Sequence, residues 1–398
     1  MMKRNIPFIL GIIFTVSVTL AVCVKYSGNI PKTIQKIKNN SQIPYYFNDI
    51  KNALKDDNPG WEGNEEQIRL TTYNLIHGKN ETQGLLLGDS YITQFGLQLS
   101  GQKLKNLKTL EKLPLTLLTL EDTGINEISA LQKLPLIRLW LIKNKHLEDI
   151  SGIRGNKVLY LGFEDNPKLK NFETVGSLSN LRSFSSVRQY GLSKIDFLSE
   201  LKNLEDVMLT DAMVYDITPL KDKPICRITI EKCKVNNLNI LKNLPLKTVV
   251  LMKLAVDRID CLKGKKLEVV WIIDLPVSDI SVFKEMPLRN LVVRNAPVKD
   301  ISSLKGMPIM SLSLRGTKVS DLIPLAGVNY HYLDLANTPI KSLKPLKGSQ
   351  ISFLDISGTK VFDLSPLIGM KLKSLTISNT PAANKKLPSG MDVEYLSR

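Results

Sequence analysis

The side chains best suited to hold a metal or to attack a substrate are His77, His146 and His331, with Cys23, Cys226, Cys233 and Cys261. A zinc site needs its ligands in closely spaced pairs, because two of them must reach one tetrahedral ion from one short loop. The last three cysteines instead sit seven and twenty-eight residues apart, and no histidine stands at ligand spacing from a cysteine or carboxylate. Free structural thiols fit this spacing best. No G-x-G-x-x-G, phosphate loop or H-E-x-x-H occurs, so the residues propose no cofactor, no metal and no catalytic set. The expectation is a chain that is not an enzyme. A row of carboxylates recurs at Asp149, Asp216, Asp279, Asp300, Asp321 and Asp363. A cation ladder is one reading of it. Capping of a turn in each repeat is the better one, since Asp bonds backbone N–H groups two residues on.

That recurrence belongs to a repeat. "PLRNLVVRNAPVKDISSLKGM" at 287–307 is followed by "PIMSLSLRGTKVSDLIPLAGV", and Leu291, Val293, Val298, Ile301 and Leu304 align with Leu312, Leu314, Val319, Leu322 and Leu325. Units begin at 204, 225, 246, 267, 288, 309, 330, 351 and 372, each 21 residues after the last. Earlier units begin at 94, 115, 136, 158 and 181, and those at 136, 158 and 181 carry one or two extra residues. From 204 to 351, positions 1, 4, 6, 11, 14 and 17 of every unit are apolar. Alternation around positions 4 and 6 predicts one short strand per unit. A unit this small cannot bury its own apolar edge, but stacked units cover each other. The return segment is short and carries Pro219, Pro324, Pro345 and Pro366, so it is expected as extended chain or 3₁₀ turn.

The pattern L-x-x-L-x-L, followed by a small or polar residue and another apolar one, resembles the leucine-rich repeat over 94–380, and units ending "DISSLKGM" or "DLSPLIGM" resemble its short bacterial internalin-like class. The resemblance implies an α/β-type solenoid, mostly β, of about fourteen repeats, with a parallel sheet on the concave face and a convex side of 3₁₀ or extended chain. It also implies a binding scaffold. One departure is position 9, where the longer-repeat family favours Asn. Here Asn stands only at Asn144 and Asn166, and central units carry Cys233, Leu254 or Leu275, so side-chain bonding to the turn should weaken there.

Around the repeats, residues 61–93 and 381–398 break the pattern and are expected to cap the open ends. Residues 28–60 read as a polar tether followed by a short amphipathic helix in "YYFNDIKNALKD". Within 1–27, Lys3 and Arg4 precede an uncharged run at 6–24, long enough to span a bilayer. It is read as a membrane anchor, with a cleaved signal or lipidation at Cys23 as alternatives. The repeat region is then expected outside the cytoplasm, secreted or membrane-anchored.

Function should lie on the exposed side of the sheet, at positions 3, 5, 7 and 8. Net charge over 398 residues is +16, yet those positions hold eight basic and ten acidic residues. The excess positive charge must therefore sit on edges, back turns and tether, and a nucleic-acid groove is not expected. The same face carries Val250, Met252, Val269, Trp271, Ile273 and Val292 on three successive strands, with Arg294 and Arg315 continuing the row as a charged margin. Trp140 with Ile142 makes a second, smaller spot. Exposed apolar clusters with Trp suit a protein partner. The alternative is adhesion to an anionic glycan or lipid through the basic edges.

Overall fold

The computed structural model of the chain describes residues 43–64, 67–74 and 93–397. The run at 6–24, the tether up to residue 42 and residues 75–92 of the expected N-terminal cap lie outside them. Among the described residues no helix is long and apolar enough to cross a membrane.

Among the described residues one α-helix, α1 (Ile43–Asp57), is followed by sixteen strands whose order in the sheet is their order in the sequence. The first eight are β1 (Ile68–Asn74), β2 (Thr93–Ser100), β3 (Leu117–Glu121), β4 (Arg138–Ile142), β5 (Tyr160–Glu164), β6 (Ser183–Val187), β7 (Asp206–Thr210) and β8 (Arg227–Glu231). The rest are β9 (Thr248–Met252), β10 (Val269–Ile273), β11 (Asn290–Arg294), β12 (Ser311–Ser313), β13 (Tyr330–Asp334), β14 (Ile351–Asp355), β15 (Lys371–Thr376) and β16 (Asp392–Ser397). Each repeat from β2 to β14 returns through a 3₁₀ turn, as its length and prolines require. Two compact units emerge: one runs to Leu161 and includes Asn166–Leu178, the other holds Gly162–Asp165 and Ser179 onward.

In the first unit, β1 pairs antiparallel with β2, with Leu70 opposite Leu97. α1 buries Ile50 and Leu54, and Asn58 ties it down: its Oδ1 accepts from the N–H groups of Lys105 and Asn106, both at 2.7 Å. Trp61 is also buried and donates from Nε1 to the Ser100 carbonyl at 2.7 Å. From β2 to β4 the ladder is parallel and keeps repeat register, Leu97 to Leu118 to Leu139. In the second unit the register runs Val249, Val270, Leu291, Leu312, all 0 % exposed. Each such side chain contributes roughly 1.5–3 kcal/mol of burial, supplied by the neighbouring turn rather than its own.

Position 8 explains how every strand ends. Eleven of its occupants are non-glycine residues in the left-handed region, with φ of 48–56° from Asp122 to Asn379, and Gly101, Gly316 and Gly358 fill the other places. Asp, Asn and Gly tolerate this turn; Lys143, Arg188, Lys232 and Lys253 adopt it at a cost of roughly 1 kcal/mol each. Position 9 then points inward. Asn144 Oδ1 accepts from the N–H and hydroxyl of Thr123, and Asn166 Oδ1 accepts from the Asn144 N–H at 3.0 Å. Leu254 and Leu275 fill the same place with hydrocarbon, and the Thr317, Thr338 and Thr359 hydroxyls donate to carbonyls three residues back.

Residues 381–398 differ from the expected break in the pattern. The 21-residue step continues from Leu372 to Val393, and β16 pairs in parallel with β15, Leu375 opposite Leu396. Leu396 is 36 % exposed where Leu375 is 0 %. This segment adds one further strand to the ladder.

Candidate functional site

Strand alternation turns positions 4 and 6 into the core and positions 3, 5 and 7 toward solvent. On β9, β10 and β11 the ladder sets Trp271 between Val250 and Val292, and Ile273 between Met252 and Arg294. Val269 lies between Thr248 and Asn290. These candidate residues therefore share one face of the sheet. Met252, Val269, Ile273 and Val292 are half-buried there.

Trp271 and Val250 differ from expectation. Both face outward by register, yet they are 7 % and 6 % exposed. Strands lie about 4.8 Å apart, so branched neighbours in register wall the indole on both sides. Outward is not the same as solvated. Burial also strands two polar atoms, since among the described residues Trp271 Nε1 and Asn290 Oδ1 have no hydrogen-bond partner. An unmade bond of this kind costs about 1–3 kcal/mol.

Arg294 and Arg315, expected as a charged margin, are both ion-paired. Arg294 donates to Asp334 at 3.1 Å and to the Ser313 hydroxyl at 2.7 Å, while Arg315 bonds Asp334 at 3.0 Å and also pairs with Asp355. The Asp334 side chain is 0 % exposed. Two carboxylates thus neutralise two guanidiniums, and the low-dielectric setting makes the set rigid rather than attractive to anions. Three other cations on this side are paired as well: Arg227 with Asp206 at 3.2 Å, Lys232 with Asp211 at 3.6 Å, and Arg188 with Glu164. Burial pushes the Asp206 carboxyl up, against the pull of Arg227.

Trp140 and Ile142 lie on β4, in the first unit, and are half-buried. Thr119 is the neighbour of Trp140 on β3, and Glu121 that of Ile142. The structure does not gather this spot with the β9–β11 patch in one unit.

The carboxylate row caps turns. The Ser151, Thr218, Ser281, Ser302, Ile323 and Ser365 N–H groups donate to the aspartates two residues earlier, at 2.7–2.9 Å. Those bonds hold the Asp149, Asp279, Asp300 and Asp363 carboxyls below the usual range. Among the described residues no His, Cys, Asp and Glu cluster could hold a metal ion. Burial pushes the Cys233 and Cys261 thiols up to about 11, which suits structural roles.

Sequence reasoning missed an exposed cluster in the second unit. Tyr190, Met213 and Tyr215 are 55 %, 46 % and 52 % exposed on adjacent turns, and Tyr215 lines a cleft of about 100 Å³ with Lys194, Asp196 and Asp216. Their turn positions carry no repeat pattern, so nothing in the spacing singled them out.

No protein-family model and no curated protein matches the chain significantly. Among solved structures, an internalin (inlF) from Listeria monocytogenes is similar with a TM-score of 0.55 and 20 % identity, over 75 % of this chain and 85 % of that one. The functional domain of InlJ from the same species scores 0.46 at 15 % identity, over 71 % of this chain and 73 % of that one. A leucine-rich-repeat protein of Leptospira interrogans scores 0.46 at 14 % identity, over 70 % and 88 %. The fold is an internalin-like leucine-rich-repeat solenoid.

Proposed function

We propose that the chain is a non-enzymatic binding scaffold, exported or membrane-anchored, which holds a protein partner against the solvent-facing side of β9–β11. The observation that supports this reading is the block of half-buried apolar residues, Met252, Val269, Ile273 and Val292, around an indole with an unused N–H. A sheet needs no apolar residues on its wet side, and a partner that covers them gains apolar area. The neutral Arg–Asp network beside the patch adds a rigid polar border.

Capture with the full chain as bait tests the proposal, with Ile273→Glu as the comparison. Ile273 is half-buried and outward, so the change should leave circular dichroism and melting nearly unaltered. The charge should weaken capture at least tenfold, because covering a carboxylate costs more than its strand neighbour Arg294, already bonded to Asp334, returns. Equal capture by a folded Ile273→Glu chain would move the site elsewhere, first to Trp140. Capture that survives high salt favours the apolar contact over an electrostatic one.

A further inference from the structure

The excess positive charge of this chain has an ordered part. Position 18 of five successive repeats is lysine, at Lys221, Lys242, Lys263, Lys284 and Lys305, and Lys347 follows after one gap at Ala326. All six are exposed. Four of the five successive lysines, and Lys347, end a 3₁₀ turn with nearly the same backbone: φ of −51° to −58° and ψ of 123° to 140°. The next residue is left-handed each time, at Asp222, Gly264, Glu285, Gly306 and Gly348. That pair of conformations is a type II turn, closed from Leu262 to Lys265 at 3.2 Å and from Leu304 to Met307 at 3.2 Å. Nearly equal backbone angles at these five lysines start their side chains in the same direction, one per repeat except where Lys242 and Ala326 intervene.

Position 18 is unlike the basic positions on the sheet face. There, Arg227, Arg294, Arg315 and Lys232 each have a carboxylate within 4 Å. In the row, Lys284 meets Glu285 at 3.7 Å, and among the described residues no carboxylate pairs with Lys221, Lys242, Lys263, Lys305 or Lys347. Like charges in single file repel one another, and nothing in the fold requires lysine after a 3₁₀ turn: Ala326 and Ile368 occupy the same place. The row stores repulsion that an anionic partner would relieve.

The shape of the row selects the partner. Charge in one line matches a linear polymer better than a plane of lipid headgroups. Single-stranded nucleic acid would ask for aromatic platforms between the cations, and the large exposed side chains of the neighbouring turns, Met310, Ile323 and Ile368, are not aromatic. Glycine follows Lys263, Lys305 and Lys347, so a polymer chain can lie close to the backbone. We infer that this lysine row is a binding track for a linear anionic glycan bearing sulfate or phosphate esters, separate from the protein-binding sheet face. Its failure would leave the β9–β11 reading untouched.

The test uses the full chain and five probes: heparin fragments, dextran phosphate, neutral dextran, poly-dT, and vesicles with 30 % anionic lipid. Kd is measured by titration from 50 to 300 mM salt. One variant carries Lys→Gln at 221, 242, 263, 284 and 305. A control carries Lys→Gln at the exposed positions 202, 253, 299, 318 and 360, and so has the same net charge. The expected result is binding to a charged dextran or heparin, with a plot of log Kd against log salt whose slope falls by about 3.5 in the row variant, at about 0.7 per lost contact. The control should keep most of its affinity. Preference between heparin and dextran phosphate then identifies the ester. Equal losses in both variants would reduce the effect to net charge and overturn the track. Equal or tighter binding of poly-dT, binding to vesicles alone, or no binding to either charged glycan would overturn it too.

Discussion

Replacing Trp271 separates the direction of a side chain from its burial. A Trp side chain buries roughly 150–250 Å², and Trp271 is 7 % exposed, so its transfer term is about 5 kcal/mol at 25 cal/mol per Å². The compactness of real unfolded chains lowers this to roughly 3–4 kcal/mol. The unpartnered Nε1–H already costs about 1–2 kcal/mol, which removal returns. The site lies on the wet side of the sheet, so water fills the dent and no cavity penalty is added. Trp271→Ala should therefore lose about 1–3 kcal/mol. Trp271→Phe keeps most of the area, discards the stranded donor, and should fall within about 1 kcal/mol of the parent. A stacked array does not unfold in one step, so the measurement is native-state hydrogen exchange of the β9–β11 amides, with urea midpoints beside it. A loss under about 0.5 kcal/mol for Trp271→Ala would show a solvated ring and refute the burial argument. A Trp271→Phe loss as large as that of Trp271→Ala would show that the N–H is in fact satisfied.

Asp334→Asn should cost about 2–4 kcal/mol, because it leaves Arg294 and Arg315 short of a countercharge; a urea midpoint unchanged from the parent would show the network to be idle. Cys233 and Cys261, with thiols near pKa 11, should react with iodoacetamide at pH 8 about 100-fold more slowly in the native chain than in urea, and equal rates would contradict their burial. Asp279, Asp300 and Asp363 have folded pKa values below their unfolded ones, so their contribution is present at neutral pH and fades as pH falls below about 4. A chain with all three changed to Asn should unfold at lower urea than the parent at pH 7 and at nearly the same urea at pH 2; a gap that persists at pH 2 would point to packing instead.

The apolar period by itself determined the architecture. Leu291 over Leu312 and Val293 over Leu314 sets strand register, because a one-residue slip would turn every buried side chain outward. The turn at position 8 was legible too, in its Asp, Asn and Gly, had those types been read as a left-handed requirement. What the period could not supply is what happens between repeats on the outer face. There the spacing is silent, and each side chain's surroundings come from residues 21 positions away. Tertiary structure alone decided that Trp271 is walled in by Val250 and Val292, and that Arg294 reaches Asp334 across 40 residues of chain. It likewise decided that β16 carries the ladder onward, with Leu396 in the register of Leu375. Backbone periodicity is a local property repeated many times; exposure and ion pairing are properties of neighbours, and a stack brings those together only once it has folded.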